Sequence, residues 1–250
     1  MLVLGQWLYK YAPHLHRWLY FLYKNWSDRH EIHIIKRFAK ANATVLDIGA
    51  NIGFYARLLS KLYGPSSIIY AFEPHPENCK RFLKNTRGIS NIHLNPVALG
   101  SENGHQALFL SDTLNVDHRL YKSASHARSI SVPTCTLDLW LKERHISSID
   151  FIKMDVQGFE NNVLKGMELL LRGPKKPVIL CELWPYGLHE AGNSASAMIK
   201  QLENYKYDLF LLINNKEMPL NSQSNFQLDA LPESKYFNLL ALPRATCRIP

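Results

Sequence analysis

Apolar and polar positions change their period along this 250-residue chain, and each change predicts a different element. In residues 1–26, Leu4, Leu8, Tyr11, Leu15, Trp18 and Leu22 recur at alternating four- and three-residue steps, the pattern of one helical face, with a break near Pro13. Ser27 and Asp28 offer a cap for a second helix, in which Ile32, Ile35 and Phe38 form a narrow apolar stripe before Asn42 ends it. From residue 44 short apolar runs alternate with helical patterns, the signature of an α/β domain whose mostly parallel sheet is covered by helices on both faces. Strands are expected at 44–48, 68–72, 92–95, 105–110, 129–135, 149–154, 178–181, 207–213 and 237–242. Helices are expected at 54–63, 76–86 and 198–205, and from Thr136, a plausible cap, to Arg144. Residues 214–234 are polar and read as loop. The organisation is an N-terminal amphipathic helical segment, 1–42, and one catalytic-sized domain, 43–250.

The first strand runs into Asp47-Ile48-Gly49-Ala50-Asn51-Ile52-Gly53, a glycine-bearing turn that opens a helix. Gly49 and Gly53 let the backbone turn sharply and a ligand approach closely, and Asp47 places a carboxylate at the strand end. A dinucleotide site usually reads G-x-G-x-x-G, whereas here Asn51 stands between the two glycines and the span from first to last is shorter. The spacing therefore favours S-adenosylmethionine over NAD, since the ammonium and sulfonium of the former suit an anionic neighbour. The next strand ends in Glu73-Pro74, about 20 residues beyond the turn, where an acidic side chain can accept both ribose hydroxyls. Val97 and Ala98 lie at the third strand's turn, which reads either as a surface where a small residue such as Ala98 lets a flat ring lie against backbone or as an ordinary strand-end turn.

Two later strands deliver acids to the same rim: Asp155 after 149–154 and Glu182 after 178–181, with His189 following. Paired acids there suit proton transfer or a hard cation such as Mg²⁺, and equally suit helix capping and ion pairing. Candidates for a general base are Asp155, Glu182 and His189. Trp184 and Tyr186 either form a platform for a sugar ring or pack their loop on the core. The polar stretch 111–128, with His118, Arg119, His126 and Arg128, reads as a binding loop with acceptor contacts.

The formal net charge of +8 is concentrated early: residues 1–40 hold seven Lys/Arg against two acids. The N-terminal segment thus reads either as a helix packed on the domain or a second subunit, or as a membrane-surface helix. It has neither the apolar core of a signal peptide nor an 18-residue apolar run, so a cytoplasmic protein is expected, with peripheral membrane contact open. Cys79, Cys135, Cys181 and Cys247 are too widely spaced for a zinc or redox motif.

In order along residues 44–242, Leu46-Asp47-Ile48-Gly49-Ala50-Asn51-Ile52-Gly53, Phe72-Glu73-Pro74, Val97-Ala98-Leu99-Gly100, Thr136-Leu137-Asp138, Ile152-Lys153-Met154-Asp155-Val156-Gln157-Gly158-Phe159-Glu160 and Cys181-Glu182 resemble the FkbM-type S-adenosylmethionine-dependent methyltransferases. The resemblance implies a Rossmann-like class I methyltransferase fold, with a seven-stranded sheet ending in a reversed hairpin. It also implies methyl transfer to a hydroxyl of a sugar, glycan or related natural product. Gln157 departs from the family, which often has Glu there; the missing carboxylate weakens a metal role for Asp155 and Glu182. Two competitors remain. A nucleic-acid methyltransferase suits the charge but ranks low, because an Asn/Asp-Pro-Pro-aromatic turn is absent after the fourth strand. A non-catalytic cofactor-binding or scaffold protein would keep the pocket and use the N-terminal helix as its working surface.

Overall fold

The computed structural model describes residues 13–111, 118–122, 128–223 and 228–244. The chain divides into two compact units, Met1–Ala39 and Lys40–Pro250. The first contains α1 (Pro13–Ser27) and α2 (Arg29–Phe38). Of the expected N-terminal stripe, Leu4, Leu8 and Tyr11 lie outside the described residues. No helix among the described residues is long and apolar enough to cross a membrane.

The second unit alternates strand and helix: β1 (Thr44–Ile48), α3 (Phe54–Tyr63), β2 (Ile68–Phe72), α4 (Pro76–Asn85), β3 (Ile92–Asn95), then the short β4 (Ala98–Leu99). After β5 (Gly104–Leu110), β6 (Arg128–Cys135) and α5 (Leu137–Glu143) come β7 (Phe151–Met154), α6 (Glu160–Lys165), α7 (Glu168–Arg172) and β8 (Val178–Leu183). The chain continues through α8 (Pro185–Glu190), α9 (Ala195–Asn204), β9 (Tyr207–Ile213), β10 (Lys216–Leu220) and β11 (Phe237–Pro243). The main sheet has eight strands in the order β10-β9-β11-β8-β7-β1-β2-β3, parallel from β8 to β3 and antiparallel from β8 outward through β11, β9 and β10. β4, β6 and β5 form a separate three-stranded sheet.

This is the mostly parallel α/β architecture that the alternating pattern predicts, with one strand more than the seven expected. The added strand is β10, inside the stretch read as loop. Its alternation is weak, with Met218 exposed and Leu220 buried, so composition hides it. The turn before it carries the missed signal: Asn214 and Asn215 have φ of 49° and 61°, the two-residue hairpin conformation that Asn tolerates. β7 is buried along its whole length, as a parallel central strand covered on both faces requires, and Lys153 is buried with its apolar neighbours. Thr136 does cap α5, its hydroxyl accepting from the Leu139 N–H at 3.3 Å. The helices α6, α7 and α8 leave no periodic signal in the sequence because each is only five or six residues long.

β1 and β7 meet closely at their C-terminal ends. The Asp155 N–H donates to the Ile48 carbonyl at 2.9 Å, and a Cβ on Gly49 would stand 1.9 Å from the Asp155 carbonyl oxygen. Gly49 also has φ +82°, so a side chain there meets both strain and overlap. Charges lie beneath this seam. Asp47 and Lys153 are register partners on β1 and β7, both 2 % exposed, and Glu160 at the start of α6 is fully buried. Asp47, Glu73 and Glu160 are each pushed up to about 7, in every case chiefly by burial; Lys153 pulls Asp47 and Glu160 back in part.

Gly49→Ala is expected to destabilise the protein by at least about 2 kcal/mol more than Gly88→Ala in urea unfolding. Gly88 has φ +81° but open space around its missing Cβ, so the comparison removes the common strain and leaves the overlap. A second prediction follows from the three carboxyls. The folded state holds their protons at pH values where the unfolded chain has released them, so stability falls as pH rises from the ordinary carboxylate range to about 7 and is level above it. His75, whose pKa burial lowers, acts in the opposite sense just below its ordinary value, one group against three. Urea midpoints across this window should show the loss, and Glu160→Gln should make it smaller.

Candidate active site

The cavity at the C-terminal rim of β1, β2 and β7 is walled by Gly49 and Asn51 of the glycine turn, Glu73 and Pro74 after β2, Val97, Ala98 and Leu99 around β4, and Asp155 to Gln157 after β7. This is the switch point of the sheet, where the order reverses from β1 toward β2 on one side and β7 on the other. Of the expected cofactor residues, the structure thus brings Gly49, Asn51, Glu73, Pro74, Val97, Ala98 and Asp155 to one cavity.

Two expected residues stand apart from it. Asp47 lies within β1, and its carboxylate takes a backbone hydrogen bond from Ala56 in α3, so it braces the helix start beneath the turn. Gly53 begins α3, and the space where its Cβ would be faces the Phe82 ring at 3.0 Å. The glycines therefore admit other parts of the chain: the Asp155 backbone at Gly49 and an α4 side chain at Gly53.

Glu73 is the most heavily organised acid in the wall. Its Oε2 accepts from the Asn51 N–H at 2.8 Å, and its Oε1 from the His75 N–H at 2.8 Å and from Asn78 Nδ2 at 3.4 Å. Asn51 reaches this position with φ +48°, a conformation Asn tolerates, while its own Oδ1 accepts from the Ile52 N–H. Asn78 is a wall residue that sequence reasoning missed. It is 1 % exposed, and its Oδ1 has no hydrogen-bond donor among the described residues. A polar residue on the first turn of a helix carries no sequence mark of such burial.

At the other end of the cavity one amide joins the two rim acids. Gln157 Nε2 donates to Asp155 Oδ1 at 2.8 Å and to Glu182 Oε2 at 3.2 Å. Gln157 itself has φ +54°, and its carbonyl accepts from the Tyr121 hydroxyl at 2.7 Å. The two carboxylates considered for a divalent cation are thus bridged here by one amide. No group of three or more His, Cys, Asp or Glu suited to a metal occurs among the described residues.

His189 is separated from this cluster. It sits on α8 with its side chain 78 % exposed, 3.8 Å from Glu190, and it does not line the cavity. The reason is local: Pro185, Gly187 and Leu188 are the buried residues of that helix, and the turn they make carries His189 outward. Trp184 is no open platform either. Arg119 lies over its ring at 4.8 Å, its Nε1 donates to the Glu233 carbonyl at 2.8 Å, and a Cβ on Gly187 would stand 2.1 Å from ring carbon Cε3. The packing role considered for it is the one the structure shows, while Tyr186 is half-buried beside it.

From the polar stretch, His118 lines the cavity, with its Nδ1 accepting from the Ser111 N–H at 3.2 Å and its ring 4.3 Å from that of His75. Arg119 is buried and its backbone pairs with Phe109, Arg128 begins β6 and is exposed, and His126 lies outside the described residues.

Comparison with known proteins agrees with this geometry. The pattern of the methyltransferase FkbM domain matches residues 47–209, well over half of the chain. A 2-O-methyltransferase, NoeI, of Sinorhizobium fredii is 30 % identical over 148 residues, 53 % of this chain and 60 % of that protein. Methyltransferase 1 of Beauveria bassiana is 28 % identical over 145 residues, covering 50 % and 58 %, and the hexuronic acid methyltransferase AglP of Haloferax volcanii is 27 % identical over 143 residues, covering 56 % of each. The chain spans less than two thirds of the length of each of these relatives. With the motif residues gathered at the switch point and the domain pattern matched across them, the chain belongs to the FkbM methyltransferase domain family.

Proposed function

We propose that this protein is an S-adenosylmethionine-dependent O-methyltransferase whose acceptor is a hydroxyl of a sugar or glycan. The observation that carries the reading is Glu73, a 5 % exposed carboxylate in the cavity wall, fixed by two backbone N–H groups and by Asn78 Nδ2, with acceptor capacity left on Oε2. That geometry suits a ribose hydroxyl. Asn78 Oδ1 adds a buried acceptor in the same wall, and Val97-Ala98-Leu99 a small apolar surface for a flat ring. The sugar acceptor is supported by the relatives, of which one is named for 2-O-methylation and one for hexuronic acid.

When bound, S-adenosylmethionine supplies an electrophilic methyl group on a sulfonium. The chain's own residues then have three tasks. Glu73 and Asn51 would hold the nucleoside end, in the cavity that Asp155 also lines. Asp155 accepts the proton of the acceptor hydroxyl, which as a neutral alcohol is a poor nucleophile. Gln157 fixes the orientation of that carboxylate by its hydrogen bond and ties it to Glu182. Neither His189 nor a cation enters this scheme.

Binding of S-adenosylhomocysteine, measured by calorimetry, should strengthen from about pH 6 to about pH 8, because the ionised form of Glu73 is the better acceptor and its pKa of about 7 places the change there. Glu73→Gln should weaken binding at least about tenfold and flatten this pH dependence. With labelled methyl donor and a panel of neutral and uronic-acid glycans, Asp155→Asn should lower kcat about 100-fold or more while leaving S-adenosylhomocysteine binding within a few-fold of wild type. Folded protein that binds S-adenosylhomocysteine and methylates no glycan would point to the non-catalytic reading; protein that binds NAD in its place would overturn the cofactor assignment.

A further inference from the structure

The N-terminal unit presents one helical face whose character changes along its length. The hydrogen-bond ladder runs through Asp28, which donates to the Lys24 carbonyl and accepts from the Ile32 N–H, both at 2.9 Å, so α1 leads into α2 with little loss of register. On α1 the side chains at positions 19, 22, 23 and 26 share a face, and all four are large, apolar or aromatic, and exposed: Leu19 41 %, Leu22 49 %, Tyr23 61 % and Trp26 69 %. Carried into α2 at helical spacing, the same face continues through Arg29, His33, Lys36 and Arg37, all exposed. The acids of this unit, Asp28 and Glu31, fall on the other side by the same geometry. Asp28 is engaged there by Lys24 and by the Ser27 hydroxyl.

Four large apolar side chains held in water along two turns of helix need a partner, and the basic half limits which. We propose that this face docks on an anionic phospholipid surface, with Leu19, Leu22, Tyr23 and Trp26 seated at the boundary of headgroups and acyl chains and the basic residues of α2 lying on the phosphates. The arrangement has the parts that such binding needs: apolar and aromatic side chains to partition, cations to draw in an anionic leaflet, and no helix among the described residues long and apolar enough to span. Pairing with a second copy fits the charges less well. Parallel pairing sets one basic half against another, and antiparallel pairing sets guanidinium and ammonium groups against the apolar stripe.

Flotation of the full chain with phosphatidylcholine vesicles, with and without phosphatidylglycerol, tests this directly. Wild type should float with the anionic vesicles and not the neutral ones, and should be released as salt is raised. Leu22→Glu and Trp26→Glu, and separately the pair Lys36→Glu with Arg37→Glu, should each lower the bound fraction at limiting lipid by about tenfold or more. Circular dichroism and S-adenosylhomocysteine binding check that each variant is folded, since these residues lie outside the cofactor cavity. The proposal is overturned if folded wild type ignores anionic vesicles, if it binds neutral ones equally, or if the variants bind as wild type does. It is also overturned if sedimentation shows a dimer that Trp26→Glu dissolves while no vesicle binding occurs.

Discussion

The close passage of two backbones at the end of β1 and β7 is the constraint on which the site depends. With the Asp155 carbonyl 1.9 Å from the place of a Gly49 Cβ, the turn after β1 can take its course only with hydrogen there. The contact fixes where the β7 loop begins, and that loop carries Asp155, Gln157 and the entry to α6. It also pins the glycine turn, so that the Asn51 N–H meets Glu73 across from β2. A single point of contact thereby sets the distance between the nucleoside end of the cavity and the end where chemistry is proposed.

Beneath this point the core is unusually polar. Asp47 and Lys153 sit where a parallel sheet would ordinarily be apolar, Glu160 is buried at the start of α6, and burial raises the pKa of both acids. Their desolvation is offset in part by backbone N–H donors, Ala56 for Asp47 and Val156 for Glu160 at 3.0 Å. The polar groups hold the helix starts and loop ends that form the cavity wall. Stability is lost to make the wall rigid, a common balance at functional sites.

The sequence was most legible where a local pattern and a tertiary requirement coincide. Residues 44–48 and 68–72 are strands because their apolar runs are buried on a central sheet, and Glu73 was readable because a strand end followed by Pro74 admits few other roles. It was least legible where a residue type has two physical uses. Asp47 and Glu73 are both acids at the ends of neighbouring apolar runs, yet one braces α3 from below and the other lines the cavity. Trp184 and His189 follow the same strand, but Arg119 and Gly187 enclose the first and the turn of α8 carries the second into solvent.

The sequence by itself determined the alternation of the longer strands and helices, the family and the cavity residues that belong to motifs, because strand runs, glycine turns and strand-end acids are encoded within a few consecutive positions. It also determined that the first 40 residues are basic and amphipathic. Only the tertiary structure decided that Gln157 joins Asp155 to Glu182, that Asn78 shares the wall with Glu73, and that β10 adds an eighth strand. The Gln157–Glu182 bond spans 25 residues and leaves no periodic or spacing signal, while the Gln157–Asp155, Glu73–Asn78 and β9–β10 contacts are local but depend on backbone and side-chain orientations that residue type alone does not fix.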